Sequence, residues 1–513
     1  MNAINLDAIN HTILTLILLM PLLGALLVSL APDRGKLPNW IALLTTLVSF
    51  GLTLHLPAHF QSAQAGFQYE INIPWIESPA ISYHVGVDGL SLWFVVLVGL
   101  LAPVGVVASW NAIKERRKVF YSLFLIQQTA MVGVFVALDL MLYYGFWELS
   151  LVPMAILIAM YGRQEGARAA LKFFLFTFIP SAPLLVAILW IYNQTHSFDY
   201  VWLQILLTHG GFSSTALWWA SLAFLFAFAV KVPVFPLHGW LADTFTEAPV
   251  ALAMVVAGKL GLYSMLRFHI GLFPDQAKYI APLLIALAVV GILYGACLAL
   301  VQREFWKLMA YAALSHLSLI TLAIYGQTQI GWNAAVFQIL SHGIVDAAIF
   351  LLLALLEQRY GSTQIEAFGG VATRLPRLAT YFVIATLAMI GLPMLSGFVG
   401  EFLILSSTFA GVSHAWAIAA ALGVILGAAY MLILVQKVFY GTEGQLPTAA
   451  PDLQIGELAT LTPLVVLMLV LGVAPTLWLQ AFQPATHPPS PSGPAHTLVL
   501  PTNFITNHSE VLR

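Results

Sequence analysis

The sequence has 513 residues, 60% of them hydrophobic and only 8% charged, with a formal net charge of −2. Ordinary soluble domains are about 25% charged, so composition excludes a water-soluble globule, and the near-neutral balance offers no electrostatic footprint for nucleic acid. A single cysteine, Cys297, excludes a disulfide framework within the chain and a cysteine-ligated metal or iron–sulfur centre.

Long apolar runs recur from one end to the other. In lipid, only helices and closed barrels satisfy their own backbone, and runs of about 20 residues are helix length, so the expected fold is an all-α polytopic membrane protein with about 14 transmembrane helices. The first run, 12–30, follows Asp7 rather than a basic cluster and lacks a cleavage site, so it reads as a retained helix. The chain divides into N-terminal transmembrane helices 1–3 over 11–110, a first five-helix unit over 119–270, a second over 278–440, and a last helix over 458–480. A proline-rich tail, 481–513, is expected to be irregular. Asp139 alone separates spans 4 and 5. The longest connections, 58–87 and 194–214, are too short for a soluble domain, and no nucleotide, flavin or iron–sulfur motif is present.

Basic residues test the span count. Connections after odd-numbered spans hold 15 lysines and arginines, among them Lys114, Arg116, Arg117 and Lys118, whereas connections after even-numbered spans hold only Arg267 and Lys278. The positive-inside rule then puts the odd connections in the cytoplasm and both termini on the non-cytoplasmic side.

Ionisable residues inside the spans carry the functional signal, because a charge at bilayer depth costs about 2.5–3.5 kcal/mol on insertion scales and is retained for a task. Lys231 is expected near the middle of a membrane helix, with Pro233 and Pro236 just beyond it, in AVKVPVFPLHGWLADTFTEAP. Prolines there break the backbone ladder, and the freed groups need protein or water. Glu148, in YYGFWELSLVPM, is the natural partner of Lys231: a nearby carboxylate favours the charged lysine, burial disfavours it, and moving the glutamate switches the lysine. Lys259 lies in the following span, about eight residues from Arg267, the expected interface residue, too far to snorkel readily. His316 and His342 occupy adjacent spans and suit proton transfer at neutral pH. Asp346 follows His342 by four residues on the same helix face. Glu401 follows Gly391, Pro393 and Gly397, a second expected helix break. The plain alternatives are a protonated or locally satisfied glutamate, a snorkelling lysine and packing histidines. Glu148, Lys231, Lys259, His316, His342 and Glu401 are the expected relay, with His238, Asp346 and Asp139 as secondary candidates. The two breaks lie five spans apart. Five is odd, so spans 4–8 and 9–13 read as two inverted five-helix repeats with discontinuous helices around an ion pathway.

The motifs VGVDGLSLW (85–93), DLMLYYGFWELSLVPM (139–154), AALKFFLFTFIPS (169–181), KVPVFPLHGWLAD (231–243), EFWKLMAYAALSH (304–316) and GLPMLSGFVGEF (391–402) resemble the antiporter-like membrane subunits of respiratory complex I, over about 10–480. Within that family, Glu401 in place of the lysine of the L and N types, and an end about 33 residues after the last span, favour the M type (chain 4). The resemblance implies discontinuous seventh and twelfth helices and a proton path through Glu148, Lys231, Lys259, His316, His342 and Glu401. It implies no cofactor in this chain, with NADH, FMN, iron–sulfur clusters and quinone bound by partner subunits. The implied partners are antiporter-like L- and N-type subunits, peripheral redox subunits and the lipid bilayer, in a bacterial inner membrane. A multi-subunit cation/proton antiporter, a membrane-bound hydrogenase and a purely structural membrane subunit are the competing readings. Gly239, Ala242 and Phe245 depart from the family's usual threonine, proline and histidine, the spacing over 250–258 is short, and Asp346 is not an expected acid.

Overall fold

Apolar runs that cannot leave backbone groups bare in lipid become helices, and the computed structural model of the chain is built from them; it describes residues 3–32, 35–64, 66–209, 212–252, 259–442 and 450–486. Twelve helices among the described residues are long and apolar enough to cross a membrane. Two expected spans are not among them. The span over 248–270 includes residues 253–258, outside the described set, as are most of the short 250–258 spacing and residues 487–513 of the tail. The span over 376–408 is divided into two shorter helices.

The first helices are α1 (Ala3–Leu30), α2 (Leu37–His59), α3 (Leu92–Ser109) and α4 (Arg117–Val136). Between α2 and α3 the structure adds what the sequence reading left as a plain connection: an antiparallel hairpin of β1 (Gln68–Ile76) and β2 (Ile81–Val87). Residues 137–139 pair with it, Leu138 N donating to His84 O at 2.8 Å, and the 198–200 segment closes on the other side, Tyr200 N donating to Leu138 O at 2.7 Å. The non-helical backbone on this side therefore satisfies itself.

Asp139 explains the division between spans 4 and 5. It caps α5 (Leu140–Leu149), accepting from Met141 N and Leu142 N at 2.9 Å each, and also accepts from Ser82 N of the hairpin at 3.0 Å. The helix restarts as α6 (Val152–Tyr161) and the chain continues through α7 (Gly166–Thr195) and the short α8 (Tyr200–His209).

Both expected breaks are present. Helix α9 (Ser214–Lys231) stops at the lysine, and α10 (Leu241–Glu247) resumes after a gap of nine residues. In between, Val234 N turns back to Ala229 O at 2.8 Å, and the Trp240 indole donates to the Val230 carbonyl at 2.9 Å. Beyond it lies α11 (Lys259–Ser264), which runs into a wider-wound turn over Met265–Ile270. Then come α12 (Pro274–Leu300), α13 (Phe305–Tyr325) and α14 (Gln329–Tyr360). Helix α14 is buried without interruption over residues 334–356, which makes it the axis of the second half. The second break separates α15 (Pro376–Met389) from α16 (Ser396–Gly411), and α17 (His414–Val435) and α18 (Ile455–Val473) complete the bundle.

Arg267, expected at the membrane interface, is buried within the protein, 2.5 Å from Asp88 Oδ1 and surrounded by Phe67, Tyr200 and Tyr263. Asp88 lies 179 residues earlier in the chain, a pairing that no local pattern reveals.

Candidate functional site

Lys231 is the last residue of α9 rather than its middle. That places its ammonium at the negative end of a half-helix, where the dipole favours a cation. It is buried, donates to Ser150 Oγ at 2.9 Å, and stands 4.4 Å from the centre of the Trp147 ring. Glu148 is half-buried on the same turn of α5, near enough for its charge to act on Lys231, yet no ion pair within 4.0 Å joins them. Its Oε1 has no hydrogen-bond partner. The pair is adjacent but unlatched. Ser150 and Trp147 were missed by the sequence reading; their signal is only that they flank Glu148 in WELS.

Helix α11 packs on α9 at Gly261, where a β-carbon would lie 3.0 Å from the Phe228 carbonyl oxygen. This small residue brings Lys259 into the bundle. Its Nζ lies 3.6 Å from Asp346 Oδ2, and the same oxygen lies 2.8 Å from His342 Nδ1. Gly343 makes the approach possible, since a β-carbon there would press on Leu97 at 2.6 Å and on Lys259 Cε at 3.1 Å. The His342 and His316 rings are 5.2 Å apart, centre to centre. His316 faces Glu401 with Nδ1 3.7 Å from Oε1, and its Nε2 meets the Tyr430 hydroxyl at 3.3 Å. Tyr430 was also missed; nothing marks it within the apolar run of α17.

The second break shapes the end of this string. Gly391 has φ +72°, a conformation that costs other residues about 1–2 kcal/mol, and a β-carbon there would collide with Glu401 Oε2. Ser341, beside His342, donates to Ser396 Oγ at 2.8 Å and so ties α14 to the restart of the broken helix. A small cavity lies against His316, Ser315, Ile390 and Glu401. Lys231 precedes its break, whereas Glu401 follows its own by five residues.

The structure thus brings Lys259, Asp346, His342, His316 and Glu401 into one buried string, and sets Glu148 beside Lys231. It does not bring the other secondary candidates into it. Asp139 is occupied by the backbone contacts described above. His238 stacks near Phe235 and Tyr294, with ring centres 5.6 and 5.3 Å away, and its Nδ1 has no partner. The altered residues are packing elements: Phe245 meets Phe350 of α14 edge-on at 5.5 Å, and Gly239 faces Phe176.

Residues 137–427 match the family model described as NADH:quinone oxidoreductase/Mrp antiporter, transmembrane. The chain belongs to this family. A Rickettsia prowazekii protein named NADH-quinone oxidoreductase subunit M is 36% identical over 482 residues, covering 92% of this chain and 97% of that protein. Among solved structures, a chain of respiratory complex I from Thermus thermophilus with bound NADH has a TM-score of 0.84 at 31% identity, over 92% of this chain and 98% of that one. A chain of the Mrp complex from Dietzia superposes with a TM-score of 0.81 at 20% identity, over 93% and 97%, a likeness of fold alone. The expected resemblance is therefore borne out, and the chain is a multi-pass membrane protein of a family whose members work in multi-subunit complexes.

Proposed function

We propose that this chain is the proton-translocating, M-type membrane-arm subunit of a complex I-type NADH:quinone oxidoreductase. Glu148 and Lys231 form its switchable input, and Lys259, His342, His316 and Glu401 carry the proton onward. One observation carries the reading: every ionisable group from Lys259 to Glu401 is buried and within contact of the next, although each is a liability in an apolar bundle. A membrane scaffold has no use for such a string. The geometry between Glu148 and Lys231 supports the switch. An ion pair would hold Lys231 protonated, whereas the present spacing leaves its charge sensitive to a small movement of α5.

In this reading both termini face the non-cytoplasmic side of a bacterial inner membrane, and units 119–270 and 278–440 are inverted repeats. NADH, FMN, iron–sulfur clusters and quinone belong to partner subunits, which include peripheral redox subunits and L- and N-type subunits alongside in the membrane. The family also includes antiporter subunits, so the test separates the two activities. The native complex is purified, its subunits are identified, and proton uptake is followed in proteoliposomes. NADH-driven uptake that falls in Glu148→Ala supports the proposal. Na⁺/H⁺ exchange without redox subunits would overturn it in favour of an antiporter.

A further inference from the structure

Among the described residues, three buried aspartates face basic groups or backbone amides, and they differ in how their oxygens are used. Asp139 accepts from three backbone amides. Asp88 accepts from Leu90 N and Ser91 N at 3.1 Å each, and from Arg267. Both are held by aligned hydrogen bonds in the way of structural carboxylates. Asp346 is 1% exposed, and neither of its oxygens has an aligned hydrogen bond, nor does Lys259 Nζ or either ring nitrogen of His342. The 2.8 Å approach of His342 Nδ1 to Oδ2 is bent away from hydrogen-bond alignment. Buried polar groups left in this state call for an explanation other than packing.

We propose that Asp346 is itself a station of the proton line, the carboxylate that passes a proton between Lys259 and His342. This rests on the relay reading given above. A single oxygen, Oδ2, faces both bases, at 3.6 Å from the lysine and 2.8 Å from the histidine. In the forward step the Nζ–H bond of protonated Lys259 breaks and an Oδ2–H bond forms. The Oδ2–H bond then breaks as Nδ1–H forms on His342. Lysinium, carboxylate and neutral imidazole become neutral lysine, carboxylate and imidazolium, so charge is conserved. The longer gap closes through the flexible lysine stem, which Gly343 leaves room to move. Because the oxygen is shared, it cannot support both cations fully, and an imidazolium at His342 weakens the hold on a proton at Lys259. The groups facing Asp346 are Lys259 from α11, His342 on its own helix, His316 from α13 and Tyr430 from α17.

The test uses the intact complex in proteoliposomes, with protons taken up per NADH oxidised measured across pH for Asp346→Asn, Asp346→Glu and Lys231→Ala. Asp346→Asn should lose more than half of the uptake per NADH, and Asp346→Glu should recover most of it with a displaced pH profile. An assembled Asp346→Asn complex with the wild-type ratio and profile overturns the proposal. Should the asparagine variant fail to assemble, an Asp346→Glu profile that superimposes on the wild type overturns it equally, since an anchoring carboxylate would leave the profile in place. Lys231→Ala separates the two levels: if it loses uptake while Asp346→Asn does not, the relay stands and the bridging role falls.

Discussion

Replacing Lys231 by alanine is expected to abolish most proton uptake while leaving the complex assembled, and the structure says why the two effects separate. Removing a buried ammonium relieves about 2.5–3.5 kcal/mol of insertion cost. Against this, the hydrogen bond to Ser150 Oγ at 2.9 Å is lost, worth about 1.5–3 kcal/mol for a charged donor. The contact over the Trp147 ring at 4.4 Å is lost too, worth about 2 kcal/mol when desolvated. The net destabilisation is therefore about 0–2.5 kcal/mol, small for a bundle this extensively buried. Assembly is checked by native electrophoresis and by NADH oxidation, and function by dye-reported proton uptake per NADH in proteoliposomes. Lys231→Arg should assemble equally well yet pump poorly, because guanidinium does not release its proton. A wild-type proton ratio in assembled Lys231→Ala would refute the assignment of Lys231 to the relay.

Glu401→Asp should keep part of the uptake and Glu401→Gln almost none, since the role requires a carboxyl that binds and releases a proton opposite His316. Equal uptake by both variants would count against it. Gly391→Ala should lower thermal stability by about 1–2 kcal/mol through its positive φ, and lower uptake by displacing Glu401 Oε2, a pairing of effects read by thermal melting and the same uptake assay. Outside the membrane, His84 lies between Asp199 Oδ2 at 2.6 Å and Glu70 Oε1 at 2.8 Å. Burial opposes its charge, but the hydrogen bonds and charges of the two carboxylates prevail and raise its pKa from 6.5 to about 9. A raised pKa stabilises the fold fully below pH 6.5, and that contribution is lost as pH climbs towards 9. The stability gap between wild type and His84→Ala, measured by thermal melting, should accordingly be widest near the acid end and close above that window.

Much of this protein is written in one dimension. Helices follow from apolar length, because lipid offers no other partner for the backbone. The two interruptions follow from Pro233, Pro236 and Gly391–Pro393, because neither proline nor a left-handed glycine sustains the ladder. The ionisable residues announce themselves because each is costly where it stands. What the chain order cannot express is which oxygen faces which nitrogen. Only the packing of α11 on α9 at Gly261 and against α14 at Gly343 brings Lys259 and His342 to the same carboxylate oxygen of Asp346. Only the fold leaves Glu148 beside Lys231 without touching it, while Ser150 takes the hydrogen bond. The closure of the hairpin by segments 137–139 and 198–200 was hidden because those segments are distant in sequence, and the partner of Arg267 was hidden because Asp88 lies 179 residues away. Apolar length and the cost of buried charge are local properties, readable in order along the chain; proton transfer depends on approaches of a few ångströms between helices, and those exist only once the bundle has closed.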